Sequence, residues 1–149
     1  MKLRAYETED WPAVCEIYDL GKPDELRGVV ETTSLLPLSS DPDMKSLFNA
    51  SQIVVAEDSG RVVGFGGNRG SFITWLFVHP EFRRRGVASA LVRHMVARLE
   101  SPVTLNVASE NVAACALYQR LGFKVDRELM SHFQRKPCSI YKLRYETAA

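Results

Sequence analysis

Residues 71–99 read SFITWLFVHPEFRRRGVASALVRHMVARL, and the change of pattern inside this run decides the fold class. Residues 71–78 are almost continuously apolar and aromatic, which predicts a strand with no wet face. After Pro80 the period changes: Ala88, Leu91, Val92, Met95, Val96 and Leu99 recur at intervals of three and four, one face of a helix. Between the two stands Arg83-Arg84-Arg85-Gly86-Val87-Ala88. A loop that leaves a buried strand and opens a helix presents the helix's first backbone N–H groups, here about Arg84 to Ser89, without intrahelical acceptors. Together with the positive end of the helix dipole they form an anion site. Gly86 allows close approach of a ligand to the backbone, and Ala88 keeps the first turn thin.

Working outward, QIVVAE and RVVGFGG are β-branched runs separated by DSG, a hairpin signal. On the other side, VTLNVA predicts a strand, and Ala114, Leu117, Tyr118 and Leu121 a helix that stops at Gly122. FKVDREL and CSIYKLRYE close the chain as two strands. At the start, KLRAY is a short strand, followed by a helix with Trp11, Val14, Ile17 and Tyr18 inward and an end near Gly21. Lys22 to Ser51 is less regular, with Pro23, Pro37 and Pro42, and is expected to be mobile, with short helical pieces at DELRGVV and DPDMKSLFNA. The order β, helical segments, β, β, β, α, β, α, β, β predicts one mixed α/β domain over residues 1–149. An antiparallel front half should precede a strand-helix-strand unit.

The chain of 149 residues carries 19 basic and 18 acidic side chains, a net charge of +1. No whole-molecule field draws in nucleic acid or an anionic membrane, so a nucleic-acid role would rest on the three arginines alone. No stretch approaches the roughly 20 apolar residues of a membrane helix, and the start lacks a signal-type apolar core, so a cytoplasmic protein is expected. Cys15, Cys115 and Cys138 are widely spaced with no CxxC pair, which predicts free thiols and no metal site. GFGGNRG, at Gly64 to Gly70, lacks the third glycine and the following helix of a dinucleotide fingerprint and reads as a strand end and turn. No P-loop is present, and Ser71 and His79 lack the neighbours of a hydrolase triad.

Arg83 to Ala88 matches Gln or Arg, two residues, Gly, one residue, Gly or Ala, and here the sequence resembles the GCN5-related N-acetyltransferase (GNAT) family. A second block, NVASENVAACALYQRLGF, is similar to the family's segment of Asn, alanines, an aromatic residue and LGF, giving Asn111, Tyr118, Gly122 and Phe123. The resemblance implies a central, mostly antiparallel twisted sheet with flanking helices and acetyl-CoA as cosubstrate. The pyrophosphate would lie on Arg83, Arg84, Arg85, Gly86, Val87, Ala88 and Ser89. The pantetheine arm would pair with the backbone of the strand ending Trp75 to Val78, through Leu76, Phe77 and Val78, and with Asn111. The Tyr118 hydroxyl would sit near the thioester sulfur.

Amine attack on a thioester needs contact between the reactants, a polarised carbonyl oxygen and a proton for the leaving thiolate. A backbone N–H near Phe77 or Val78 could serve the oxygen and Tyr118 the thiolate. No general base carries over. The central strand has no glutamate, and the position in the strand before the second block where relatives acting on protein N-termini show one is Asn106. Deprotonating a lysine-like amine at pH 7 costs about 4.6 kcal/mol, an α-amine about 1.4 kcal/mol. A water relay could therefore suffice for the latter; otherwise Glu57, Glu81, His79, Glu25 or Glu31 is the base. The acceptor, a small amine or a peptide N-terminus, should bind across the sheet from the cofactor, lined by residues 22–51 and by SHFQRKP near His132. The protein is expected to be a monomer or homodimer. The alternative is a CoA-binding sensor or docking module without turnover.

Overall fold

The computed structural model describes residues 1–25, 35–133 and 136–146. Seven strands join one sheet in the order β1-β2-β3-β4-β5-β7-β6. They are β1 Lys2–Ala5, β2 Gln52–Asp58, β3 Arg61–Arg69, β4 Phe72–Val78, β5 Val103–Ala108, β6 Lys124–Phe133 and β7 Lys136–Tyr145. Helices α1 Trp11–Glu25, α2 Pro42–Asn49, α3 Val87–Arg98 and α4 Val112–Arg120 flank it. Every neighbouring pair of strands is antiparallel except β4 and β5. The predicted mixed α/β class and element order are observed. The hairpin forms at Ser59 and Gly60, both with positive φ, a turn whose twist matches its strands. No helix among the described residues is long and apolar enough to cross a membrane.

Each face of the sheet has its own core. α3 and α4 cover one, with Leu91, Val92, Met95, Leu105 and Phe123 buried. α1 and α2 cover the other, where Phe48, Phe65, Trp75 and Phe77 form an aromatic cluster. β4 serves both, because Thr74 is an extra residue between the pairs Gly67↔Trp75 and Asn68↔Ile73. A bulge resets the two-residue alternation. Ile73 therefore packs under α3 while Trp75 and Phe77 face α1. No residue of this strand is exposed, as expected: Ile73, Trp75 and Phe77 are buried, and Leu76 and Val78 are half-buried against the core under α3.

Two expectations along the chain are corrected, at Gly21 and at SHFQRKP, and the helical piece expected at DPDMKSLFNA is observed as α2. α1 does not end at Gly21 but runs to Glu25. A Cβ at Gly21 would lie 3.1 Å from Phe77 Cδ1, so the glycine lets the helix approach β4 rather than stopping it. The stretch 22–51 contains the end of α1, a 3-10 turn at Leu38–Ser40 whose Leu38 is buried, and α2 capped by Asp41. Most of DELRGVV, and Glu31, lie outside the described residues. SHFQRKP is not a free connection: its ends are paired strand, with His132 opposite Pro137.

Candidate functional site

The two central strands meet at one end only. β4 pairs with β5 at Phe72↔Thr104, with Thr104 N–H donating to the Ser71 carbonyl at 2.9 Å. Beyond that point β5 is matched along its length to β7, and the end of β4 at Leu76, Phe77 and Val78 has a partner only in β3. A gap therefore opens at the carboxyl ends of two parallel strands, the place where ligands bind in open α/β sheets. α3 and α4 start from those two ends.

The loop into α3 is held in an unusual backbone form. Arg84 has φ 62° and Gly86 φ 83°, left-handed values at alternate positions. A Cβ on Gly86 would meet nothing within 4 Å, so what demands glycine here is the dihedral and not the space. The N–H groups of Arg84, Arg85, Gly86, Val87, Ala88 and Ser89 donate to no acceptor among the described residues; the helical ladder begins with Ala90 N–H on the Gly86 carbonyl at 3.0 Å. The arginine side chains diverge. Arg83 reaches Asp24 at the end of α1, 2.7 Å away. Arg85 and Arg61 lie over the Phe82 ring at 5.0 and 5.1 Å. The triplet is not a charged patch facing one way.

Asn111 caps α4, its Oδ1 accepting from Ala114 N–H at 3.2 Å, which leaves its amide nitrogen without a partner among the described residues. One helical stretch later Tyr118 is 7% exposed and edge-on to Phe123. Its hydroxyl has no partner among the described residues. Burial, then the Glu25 carboxylate and Cys115, push its pKa well above the usual tyrosine range, because the tyrosinate loses its water. Glu25 thus sits within electrostatic reach of Tyr118. It also pairs with Lys22 at 3.4 Å, and Lys22 Nζ lies 5.9 Å from the Phe77 ring centre.

The other candidate bases are occupied elsewhere. His79 is buried; its Nδ1 accepts from Glu81 N–H at 3.1 Å, and its Nε2 lies 3.2 Å from Glu16 Oε1 and 3.3 Å from Arg61 Nη2. Glu57 contacts Arg4 at 3.4 Å in the strand next to the edge, and Glu81 is exposed beside Arg61. Sequence reasoning gave Glu25 no preference, since nothing in its sequence neighbours marks an influence on Tyr118. An open hollow of about 900 Å³ lies at the opposite end of β4, against Ser71, Phe72 and Arg98, so volume does not point to the chemistry.

The family model described as "Acetyltransferase (GNAT) family" matches residues 8–123. Solved structures share the fold over nearly the whole chain. One is a GCN5-related N-acetyltransferase from Rhodopseudomonas palustris, with TM-score 0.79, 16% identity, and 98% of this chain and 95% of that chain covered. A ribosomal-protein-alanine N-acetyltransferase from Brucella melitensis gives TM-score 0.71 and 19% identity over 99% and 100%. yncA from Salmonella typhimurium, solved with acetyl-CoA, gives 0.72 and 18% over 100% and 96%.

Proposed function

The chain belongs to the GNAT family of acetyltransferases, enzymes that use acetyl-CoA, and we propose that as one domain it moves acetyl directly to a primary amine of a small molecule or peptide N-terminus. One observation carries this reading: two helix N-termini flank the gap where β4 leaves β5, one bearing six N–H groups without an acceptor among the described residues and the other leading to Tyr118. Acetyl-CoA supplies an acetyl group activated as a thioester. The N–H groups of Arg84 to Ser89 would hold its pyrophosphate, a role supported by their lack of acceptors among the described residues. The free backbone edge of Leu76 to Val78 and the Asn111 amide would align the pantetheine arm. A β4 N–H near Phe77 or Val78 would steady the charge that develops on the carbonyl oxygen.

Tyr118 acts as the acid toward the CoA thiolate. Its raised pKa keeps the hydroxyl protonated, so it donates to sulfur as the C–S bond breaks. A thiol near pKa 8.5 is the stronger acid of the two, so complete transfer from a phenol is uphill. The proton lost by the amine restores the balance, giving amide and free thiol. Glu25, whose charge acts on Tyr118, is the carboxylate assigned to take that proton, directly or through water.

Tyr118→Phe tests this. Thiol release with a reactive amine should fall by about 10²-fold or more while acetyl-CoA affinity is kept. A protein that binds CoA but releases no thiol with any amine, before and after the change, is the sensor and not the enzyme.

A further inference from the structure

Across β5, β7 and β6 the described residues pack one face of the sheet and leave the other half-buried or exposed. Val103, Leu105, Val107 and Leu143 point into the core with α3 and α4. Their alternates lie on the side that α1 and α2 cover farther along the sheet, yet none of them is buried. The pairings place them in three rows: Thr104, Arg144 and Lys124; Asn106, Lys142 and Arg127; Ala108, Ile140 and Leu129. Two rows thus set cations directly opposite one another, Arg144↔Lys124 and Lys142↔Arg127.

Like charges at directly opposite positions of a sheet are destabilising. The second pair exists because of a bulge. After Val125↔Leu143 a regular ladder would put Asp126 opposite Lys142; the register slips by one and Arg127 takes the place. Arg144 is paired with Glu146, whereas Lys124, Arg127 and Lys142 have no carboxylate partner among the described residues. Asp126, in the bulge, is the other nearby acid. The bulge thus exchanges an opposite-charge pair for a like-charge pair on this face, which an anion bound there would relieve.

We infer that this basic face binds an acidic stretch of polypeptide downstream of the amino group that is acetylated. It adjoins the gap, beginning at Thr104, where β5 parts from β4. Leu129 and Ile140 in the third row give apolar contact suited to a side chain. The rows hold no aromatic group on which nucleic-acid bases could stack, which separates this occupant from a single-stranded nucleic acid. The inference rests on the acetyl-transfer reading and extends it by naming the acceptor's class.

The test compares a short peptide with a free amino terminus and downstream glutamates, its glutamine counterpart, and glycinamide, on the full chain and on Arg127→Glu. That change turns a like-charge pair into an opposite-charge pair, so the melting temperature should hold or rise. The KM for the glutamate peptide should rise about three- to tenfold. The KM for acetyl-CoA and the turnover of glycinamide should not move. Equal KM for the two peptides, or no effect of Arg127→Glu, overturns the inference while leaving acetyl transfer in place. Displacement of the labelled glutamate peptide by a single-stranded oligonucleotide at physiological salt overturns it in favour of nucleic acid. If no amine is acetylated, yet Arg127→Glu still weakens direct binding of the labelled glutamate peptide, the surface stands and the transfer reading fails.

Discussion

Replacing Gly86 with alanine isolates the backbone of the α3 loop. The residue sits at φ 83°, ψ 10°, and a Cβ there would touch nothing within 4 Å. Steric overlap with other residues therefore contributes nothing, and the whole effect is the left-handed strain of a non-glycine residue, about 1–2 kcal/mol. The strain divides between two readouts. If the loop keeps its shape, stability falls and the melting temperature drops by about 2–8 °C. If the loop relaxes, stability is kept but the N–H groups of Arg84 to Ser89 turn away. Acetyl-CoA must then restore them, which raises its Kd up to about 5–30-fold. Calorimetric titration and thermal unfolding of the same variant should give losses that sum to about 1–2 kcal/mol. Arg84→Ala is the control, because it keeps a Cβ at a left-handed position, φ 62°, and removes only the charge. Its effect on Kd should stay within about fivefold. A Gly86→Ala protein unchanged in both readouts, or an Arg84→Ala protein that binds more weakly than Gly86→Ala, would refute the argument and return the site to its arginine side chains.

Gly21→Leu should destabilise by about 1–3 kcal/mol, seen as a lower melting temperature, since even a Cβ comes within 3.1 Å of Phe77; an unchanged melting point would mean that α1 is free to move off β4. Arg4 holds Asp10 through two contacts of 2.8 and 2.9 Å, and Asp10 also accepts from Glu7 N–H. Arg4→Ala should therefore cost about 2–3 kcal/mol in denaturant unfolding. The Arg4 hydrogen bonds hold the Asp10 carboxyl below its usual range, so this stability is present above about pH 4 and lost as pH falls through the lower folded value. Asp10→Asn should flatten that acid limb, and an unaltered limb would count against the pair. Because Tyr118 is held protonated, the alkaline side of the kcat profile should show no Tyr118-dependent fall near pH 10, where an ordinary tyrosine ionises; a limb there that Tyr118→Phe abolishes would show that the phenol is wet.

The features legible in the residues are the short-range ones. The apolar run of β4, the three-and-four spacing of α3, the Asn111 cap and the turn at Ser59 and Gly60 depend on neighbours a few positions away, and their chemistry is written in the chain. The loop from Arg83 to Ala88 was legible as an anion site for the same reason, since unpaired N–H groups follow from any helix start. What tertiary structure decided are matters of register and approach. Gly21 looks like a helix stop in sequence and is instead a close contact, because only the distance to Phe77 tells the two apart. One extra residue at Thr74 sends Ile73 and Trp75 to opposite faces, and one at Asp126 sets Arg127 against Lys142. Side-chain pattern and capping are local energies, while bulges and the parting of β4 from β5 arise from pairings among strands far apart in sequence. The sequence by itself determined the strand, loop and helix that leave six N–H groups free of acceptors among the described residues, and only the folded sheet decided which cations stand opposite one another across β6 and β7.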